Sequence, residues 1–159
     1  RALMPALAAE GGDPRNLARL AARLARANAA VEVLTDGAER YLALRDRDAR
    51  RTGFDADPAD ARSFDAEVFA AMPEEIRLRL LKRAIDRFGH EGPAELGKVE
   101  ALLAALERIM ETPGGRRPKP DQPALQQRKL KQTLAGALVS LIGGRIRIEP
   151  APPRRSRAK

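Results

Sequence analysis

The first long pattern in the chain is helical, because apolar residues recur every three or four positions over about seven turns. Asp13 followed by Pro14 is typical of a helix start, with Asp as the capping residue and Pro in the first turn. The spacing continues through Gly37 without a break. It predicts one amphipathic helix over residues 14–50, and two shorter helices with a kink at Gly37 are the alternative. The apolar positions of this helix are Leu17, Leu20, Ala21, Leu24, Ala27, Val31, Leu34, Ala38, Tyr41 and Leu42.

The next part of the chain breaks the helical period. Residues 52–63 are rich in Asp, Gly and Pro and predict a loop. Phe64, Val68 and Phe69 then form a short apolar patch, which we interpret as a turn or two of helix that folds back on the long helix.

Helical periodicity returns after Pro73, where proline and two glutamates favour a helix start. The spacing predicts a helix that begins near Pro73 and stops at Gly89, and a second helix over residues 94–111. The inward positions are Ile76, Leu80, Leu81, Ala84, Ile85 and Phe88 in the first helix, and Leu96, Val99, Leu102, Leu103, Leu106 and Met110 in the second.

Near the carboxyl end the period changes from helical to alternating. Within residues 134–148, the stretches 138–142 and 145–148 read as two strands joined by a Gly143-Gly144 turn, with Ile146 and Ile148 on one face and the neighbouring arginines on the other. The predicted fold is therefore mainly α: a helical bundle with one long N-terminal helix, plus a small C-terminal β-hairpin. Its parts are a helical domain at 13–112, a Pro/basic linker at 113–130, a hairpin segment at 131–150 and a disordered basic tail at 151–159.

Charge is distributed unevenly along this fold. The net charge is +8, yet residues 116–159 hold twelve Lys or Arg and two acidic residues, whereas residues 1–115 hold 18 bases and 20 acids. Such asymmetry indicates a polyanion partner, with nucleic acid the first candidate. No aromatic residue follows Phe88, which favours contact with phosphates and duplex shape over base stacking. The candidate RNA-binding residues are Arg116, Arg117, Lys119, Arg128, Lys129, Lys131, Arg145, Arg147, Arg154 and Arg155.

Other chemistry finds little support in the residues. The chain has no cysteine, which suits a reducing cytoplasm, and its one histidine, His90, follows a helix-ending glycine as an exposed turn residue would. No apolar run reaches the roughly 18 residues that span a bilayer. We therefore expect a cytoplasmic protein with no membrane partner and no metal site. The alternative function is a helical protein-interaction or oligomerisation module. In this alternative the apolar stripe of the long helix packs against a partner helix, and the basic end is a solubilising tail. A homodimer is compatible with either function.

Four phrases of the chain carry a resemblance when they are taken together and in this order. They are RALMPAL at residues 1–7, RLAARL at 19–24 in the long helix, MPEEIRLRLLKRAI at 72–85, and KQTLAGALV at 131–139 followed by APPR at 151–154. Together they resemble the C-terminal, non-catalytic part of the tRNA(Ile)-lysidine synthase family, especially its short bacterial form. The first phrase is similar to the R-x-L-x-P-x-L run that closes the family's catalytic domain, and the third is similar to the family's Leu-Pro helix start and core helix.

The resemblance implies a region of an ATP-dependent ligase that attaches lysine to the wobble cytidine of the CAU anticodon of tRNA(Ile). In that family ATP, with Mg, is held by a Ser-Gly-Gly-x-Asp-Ser loop, which does not occur in this sequence. The resemblance therefore implies that residues 1–12 are the tail of the preceding catalytic domain and that the chain is inactive alone. The implied partners are tRNA and the N-terminal catalytic domain of the same protein.

Overall fold

The computed structural model describes residues 3–51, 61–111 and 129–152 of the chain. In chain order the elements are α1 (Leu3–Ala9), α2 (Pro14–Arg51), β1 (Arg62–Asp65), α3 (Ala66–Ala70), α4 (Glu74–Phe88), α5 (Leu96–Glu111), β2 (Leu130–Leu134), β3 (Ala137–Ile142) and β4 (Arg145–Pro150). The chain divides into two compact units, Arg1–Gly37 and Ala38–Lys159. In the described ranges, no helix is both long enough and apolar enough to cross a membrane.

The first unit contains α1 and the first 24 residues of α2, residues 14–37. Asp13 caps α2, because its side chain accepts hydrogen bonds from the backbone N–H groups of Arg15, at 2.8 Å, and Asn16, at 3.0 Å. The predicted single helix through Gly37 is confirmed. Its leucines, however, are largely exposed, from 45% at Leu17 to 63% at Leu34.

The second unit is built on a four-stranded antiparallel sheet in the order β1-β4-β3-β2. The sequence predicted only a hairpin, and this prediction is incomplete because β3 and β4 are the centre of a larger sheet. Phe64 lies in β1, not in a helical turn, and Arg62 and Ser63 belong to the same strand, not to a loop. Val68 and Phe69 lie in α3, as predicted. The sequence of β1, Arg-Ser-Phe-Asp, has one apolar residue, so alternation could not reveal it.

Both hairpins of the sheet turn through two residues with positive φ. Gly143 and Gly144, at φ 62° and 78°, join β3 to β4 and confirm the predicted turn. Ala135 and Gly136, at φ 50° and 78°, join β2 to β3. This second turn lies against the end of α4, where the Glu91 N–H donates to the Ala135 carbonyl oxygen at 3.2 Å. Leu134 ends β2, immediately before this turn.

The core of the second unit lies between one face of the sheet and the helices. Helix α4 packs against β3 and β4, α5 against α4 and β2, and α3 against β1. Phe64 and Phe69 stack with ring centroids 5.7 Å apart. The predicted helices α4 and α5 are confirmed, but Leu96, predicted inward, is 52% exposed. The large side chains at the centre of this core are Phe69, Leu80, Leu81, Ile85, Val99, Leu102, Leu106, Val139, Leu141, Ile146 and Ile148.

Candidate nucleic-acid interface

Four of the ten candidate RNA-binding residues lie within the described part of the chain. They are Lys129, just before β2, Lys131 on β2, and Arg145 and Arg147 on β4. The other six lie outside the described residues, as do most of the predicted linker and tail. These six are Arg116, Arg117, Lys119, Arg128, Arg154 and Arg155.

The sheet brings three of these bases to one surface. Lys131 pairs with Ser140, Ser140 pairs with Arg147, and Arg147 pairs with Ser63, so these four residues form a row across all four strands. Directly opposed residues of an antiparallel sheet point to the same side, and Arg145 shares that side because side chains alternate along β4. We call Ser63, Lys131, Ser140, Arg145 and Arg147 the polar face of the sheet. Ile146 and Ile148 are buried on the opposite face, as the sequence predicted.

Arg145 is tied into the fold. Its Nε donates to the Oγ of Ser63 at 2.9 Å, and its guanidinium pairs with the carboxylate of Asp46 on α2. The Asp46 side chain is 13% exposed and that of Arg145 is 33% exposed, so the pair is only partly screened by water. This contact joins β4 to the C-terminal half of α2 within the second unit, which gives Arg145 a structural role.

Arg147 is half-buried like Arg145, whereas the two lysines are exposed. The Arg147 guanidinium lies 3.0 Å from the carboxylate of Glu149, two residues along the same strand, and about a third of each side chain is exposed. Lys129 and Lys131 are exposed. The polar face thus holds three bases, with Asp46 and Glu149 partly balancing the two arginines. The strongest positive charge of this surface lies at its β2 edge.

The basic side chains of this surface are of a kind that binds anions. Among them, no group of three or more acidic or histidine side chains could hold a metal ion. His90 is exposed, as predicted. Beside Asp46 lies a cavity of about 200 Å³, lined by Leu42, Ala43, Asp46, Ala61, Arg62, Ser63 and Phe64. Lysine and arginine side chains that are exposed in part can bind phosphate oxygens by charge-assisted hydrogen bonds.

The comparisons with known proteins give the class of this chain. No family model and no solved structure matches it. It is 64% identical to the tRNA(Ile)-lysidine synthase of Bradyrhizobium diazoefficiens over 155 residues, which cover 98% of the chain and 41% of that relative. It is 57% identical to the synthase of a second Bradyrhizobium strain over 100% of the chain and 42% of the relative. For the synthase of Rhodopseudomonas palustris the identity is 50%, over 100% of the chain and 41% of the relative.

All three relatives are thus synthases named for a transfer RNA. The chain belongs to the tRNA(Ile)-lysidine synthase family, as its sequence phrases indicated. It spans about 41% of the length of the curated relatives that it matches, which fits a C-terminal part.

Proposed function

We propose that this chain is the tRNA-binding and positioning region of a tRNA(Ile)-lysidine synthase. The observation that carries the proposal is the match of the whole chain to relatives of that name, at 50% to 64% identity. The basic C-terminal part of the sequence supports it, because neutralised phosphates supply most of the sequence-independent affinity for nucleic acid.

The proposal divides the work of the synthase between two parts. The ligation of lysine to the wobble cytidine, with ATP and Mg as cofactors, belongs to the part of the relatives that this chain does not span. The present chain holds the body of the tRNA so that the anticodon reaches that part. Its contacts are with phosphates and are therefore indifferent to base identity.

A salt titration of tRNA binding tests this function. The variant is Lys129→Gln together with Lys131→Gln, because these exposed side chains bind phosphate without anchoring the fold, unlike Arg145. We expect filter binding of a tRNA(Ile) transcript with a CAU anticodon to show a slope of log K against log salt that is less steep by about 1.4 to 1.8. The matched control is Lys98→Gln on α5, whose ammonium pairs with Glu95 at 2.9 Å and should leave the slope unchanged. Equal slopes for all three proteins would remove the β2 edge from the interface.

A second candidate function is a helical interaction module, and the exposure of the leucine stripe on α2 favours it. Leu17, Leu20 and Leu24 are 45%, 53% and 60% exposed in a row at coiled-coil spacing. In that case the chain associates without RNA. Sedimentation velocity with and without tRNA separates the two functions, because an interaction module associates through its leucine stripe even when tRNA is absent. The double variant Leu20→Gln with Leu24→Gln should abolish this association.

A further inference from the structure

A row of arginines runs along the first part of α2. These residues precede those of the polar face of the sheet in the sequence. Arg15, Arg19, Arg23 and Arg26 are four, four and three residues apart. At 100° per residue they fall within about 80° of the helix circumference, and at 1.5 Å per residue they span about 16 Å. All four are exposed. We call these four residues the arginine row; the leucines at positions 17, 20 and 24 lie on another side of the helix.

Among the residues that the structure describes, the arginine row has no acidic partner of the kind that several bases on α4 and α5 have. On α4, Arg79 pairs with Glu75 at 2.7 Å and Lys82 pairs with Asp86, and on α5 Lys98 pairs with Glu95. By contrast, residues 14–31 contain no acidic residue at all. The neighbours of each row member at three or four positions are neutral residues or other arginines.

Uncompensated like charges at this spacing destabilise a helix. Arg15 and Arg19 are such a pair, and so are Arg19 and Arg23. A surface that repels itself in this way gains most from a ligand that supplies many negative charges in a line. The planar guanidinium group binds phosphate through two parallel hydrogen bonds, which makes arginine well suited to such a ligand.

We propose that the arginine row is a second phosphate-binding surface, which lies along the sugar-phosphate backbone of a tRNA helix. This inference rests on the proposed function. The relatives are named for a tRNA, and for this reason we choose RNA rather than an anionic lipid surface as the ligand. Positions four residues apart on a helix are separated by about 6 Å, a distance comparable to that between successive phosphates of one strand. No aromatic residue lies between positions 14 and 40, so the surface reads phosphates and not bases.

The test compares salt slopes for tRNA binding by the 159-residue chain and by a variant with Arg15, Arg19, Arg23 and Arg26 all changed to Gln. Glutamine forms helices about as well as arginine, so α2 is retained, which far-UV circular dichroism checks. Four lost contacts make the slope less steep by about 2.8 to 3.6. Between 50 and 200 mM salt the variant then loses about 100-fold less affinity than the unmodified chain. Two half-variants, Arg15→Gln with Arg19→Gln and Arg23→Gln with Arg26→Gln, should each give about half of the change.

Two controls make the result specific. Arg79→Gln with Lys82→Gln removes two bases that are already paired on α4, and it should leave the slope as it is. Replacement of the whole row by lysine keeps the charges but loses the paired hydrogen bonds, so it should restore the steep slope at reduced affinity.

Three outcomes would overturn the proposal. If the unmodified chain binds no tRNA, the proposed function fails together with this inference. If the chain binds tRNA and the glutamine variants bind with an unchanged slope, only the arginine row is refuted. If the row is needed for sedimentation with vesicles of phosphatidylcholine and phosphatidylglycerol while tRNA binding is unaffected, the surface serves a membrane and not RNA.

Discussion

Replacement of Gly136 by alanine should destabilise the second unit through two separate effects. Gly136 has φ 78°, where a side chain costs about 1 to 2 kcal/mol. A Cβ at this position would also lie 2.8 Å from the backbone nitrogen of His90, closer than real Cβ atoms come. The backbone can move away only by loosening the contact between the β2–β3 turn and the end of α4. Crowding of this kind adds about 1 to 3 kcal/mol, so we expect a total cost of about 2 to 5 kcal/mol.

Gly143→Ala is the matched control, because it shares the backbone effect without the steric one. Gly143 has φ 62°, and a Cβ there would meet nothing within 4 Å. It should therefore cost only about 1 to 2 kcal/mol. Urea unfolding followed by far-UV circular dichroism gives both free energies, provided that the denaturant slope m stays the same. Equal losses for the two variants would refute the idea that the turn presses against His90.

Three further changes test other parts of the fold in the same unfolding assay. Phe69→Ala should cost about 3 to 5 kcal/mol, since Phe69 is fully buried and stacked on Phe64; a loss below 1 kcal/mol would contradict this packing. Gly37→Ala should stabilise α2 by up to about 1 kcal/mol, because a Cβ there meets nothing within 4 Å, and destabilisation would be the opposite of this expectation. Asp46→Asn should cost about 1 kcal/mol, since it leaves the Arg145 guanidinium without its charge partner, and a double-mutant cycle with Arg145→Gln should show that this loss is coupled.

Helices α2, α4 and α5 could be predicted from the sequence because each repeats its apolar spacing over several turns. Helix α2 carries that signal through Gly37, and α4 begins after Pro73 with two glutamates. The outer strands carry no comparable signal. Both β1 and β2 are short and mostly polar, and they form because β3 and β4 offer them backbone partners.

The candidate site was predictable in composition but not in geometry. The sequence shows that Arg145 and Arg147 share one face of a strand. It does not show that Asp46, 99 residues before Arg145, neutralises one of them. An apolar stripe in the sequence also does not show whether other parts of the protein bury it. The leucines of α2 form such a stripe and are exposed. The arginine row did leave a signal, namely bases at helical spacing without an acidic residue over residues 14–31.

The pairing of β1 with β4 has a consequence for the order of assembly on the ribosome. The hydrogen bond from Arg145 to Ser63 cannot form until Arg145 has been synthesised, 82 residues later. At about 5 to 20 residues per second, this delay is roughly 4 to 16 s. During that interval α4 has been made, but the strands that cover its apolar side have not. The nascent chain therefore exposes the apolar face of α4, a kind of surface to which chaperones bind. This face is covered once β3 and β4 have left the exit tunnel.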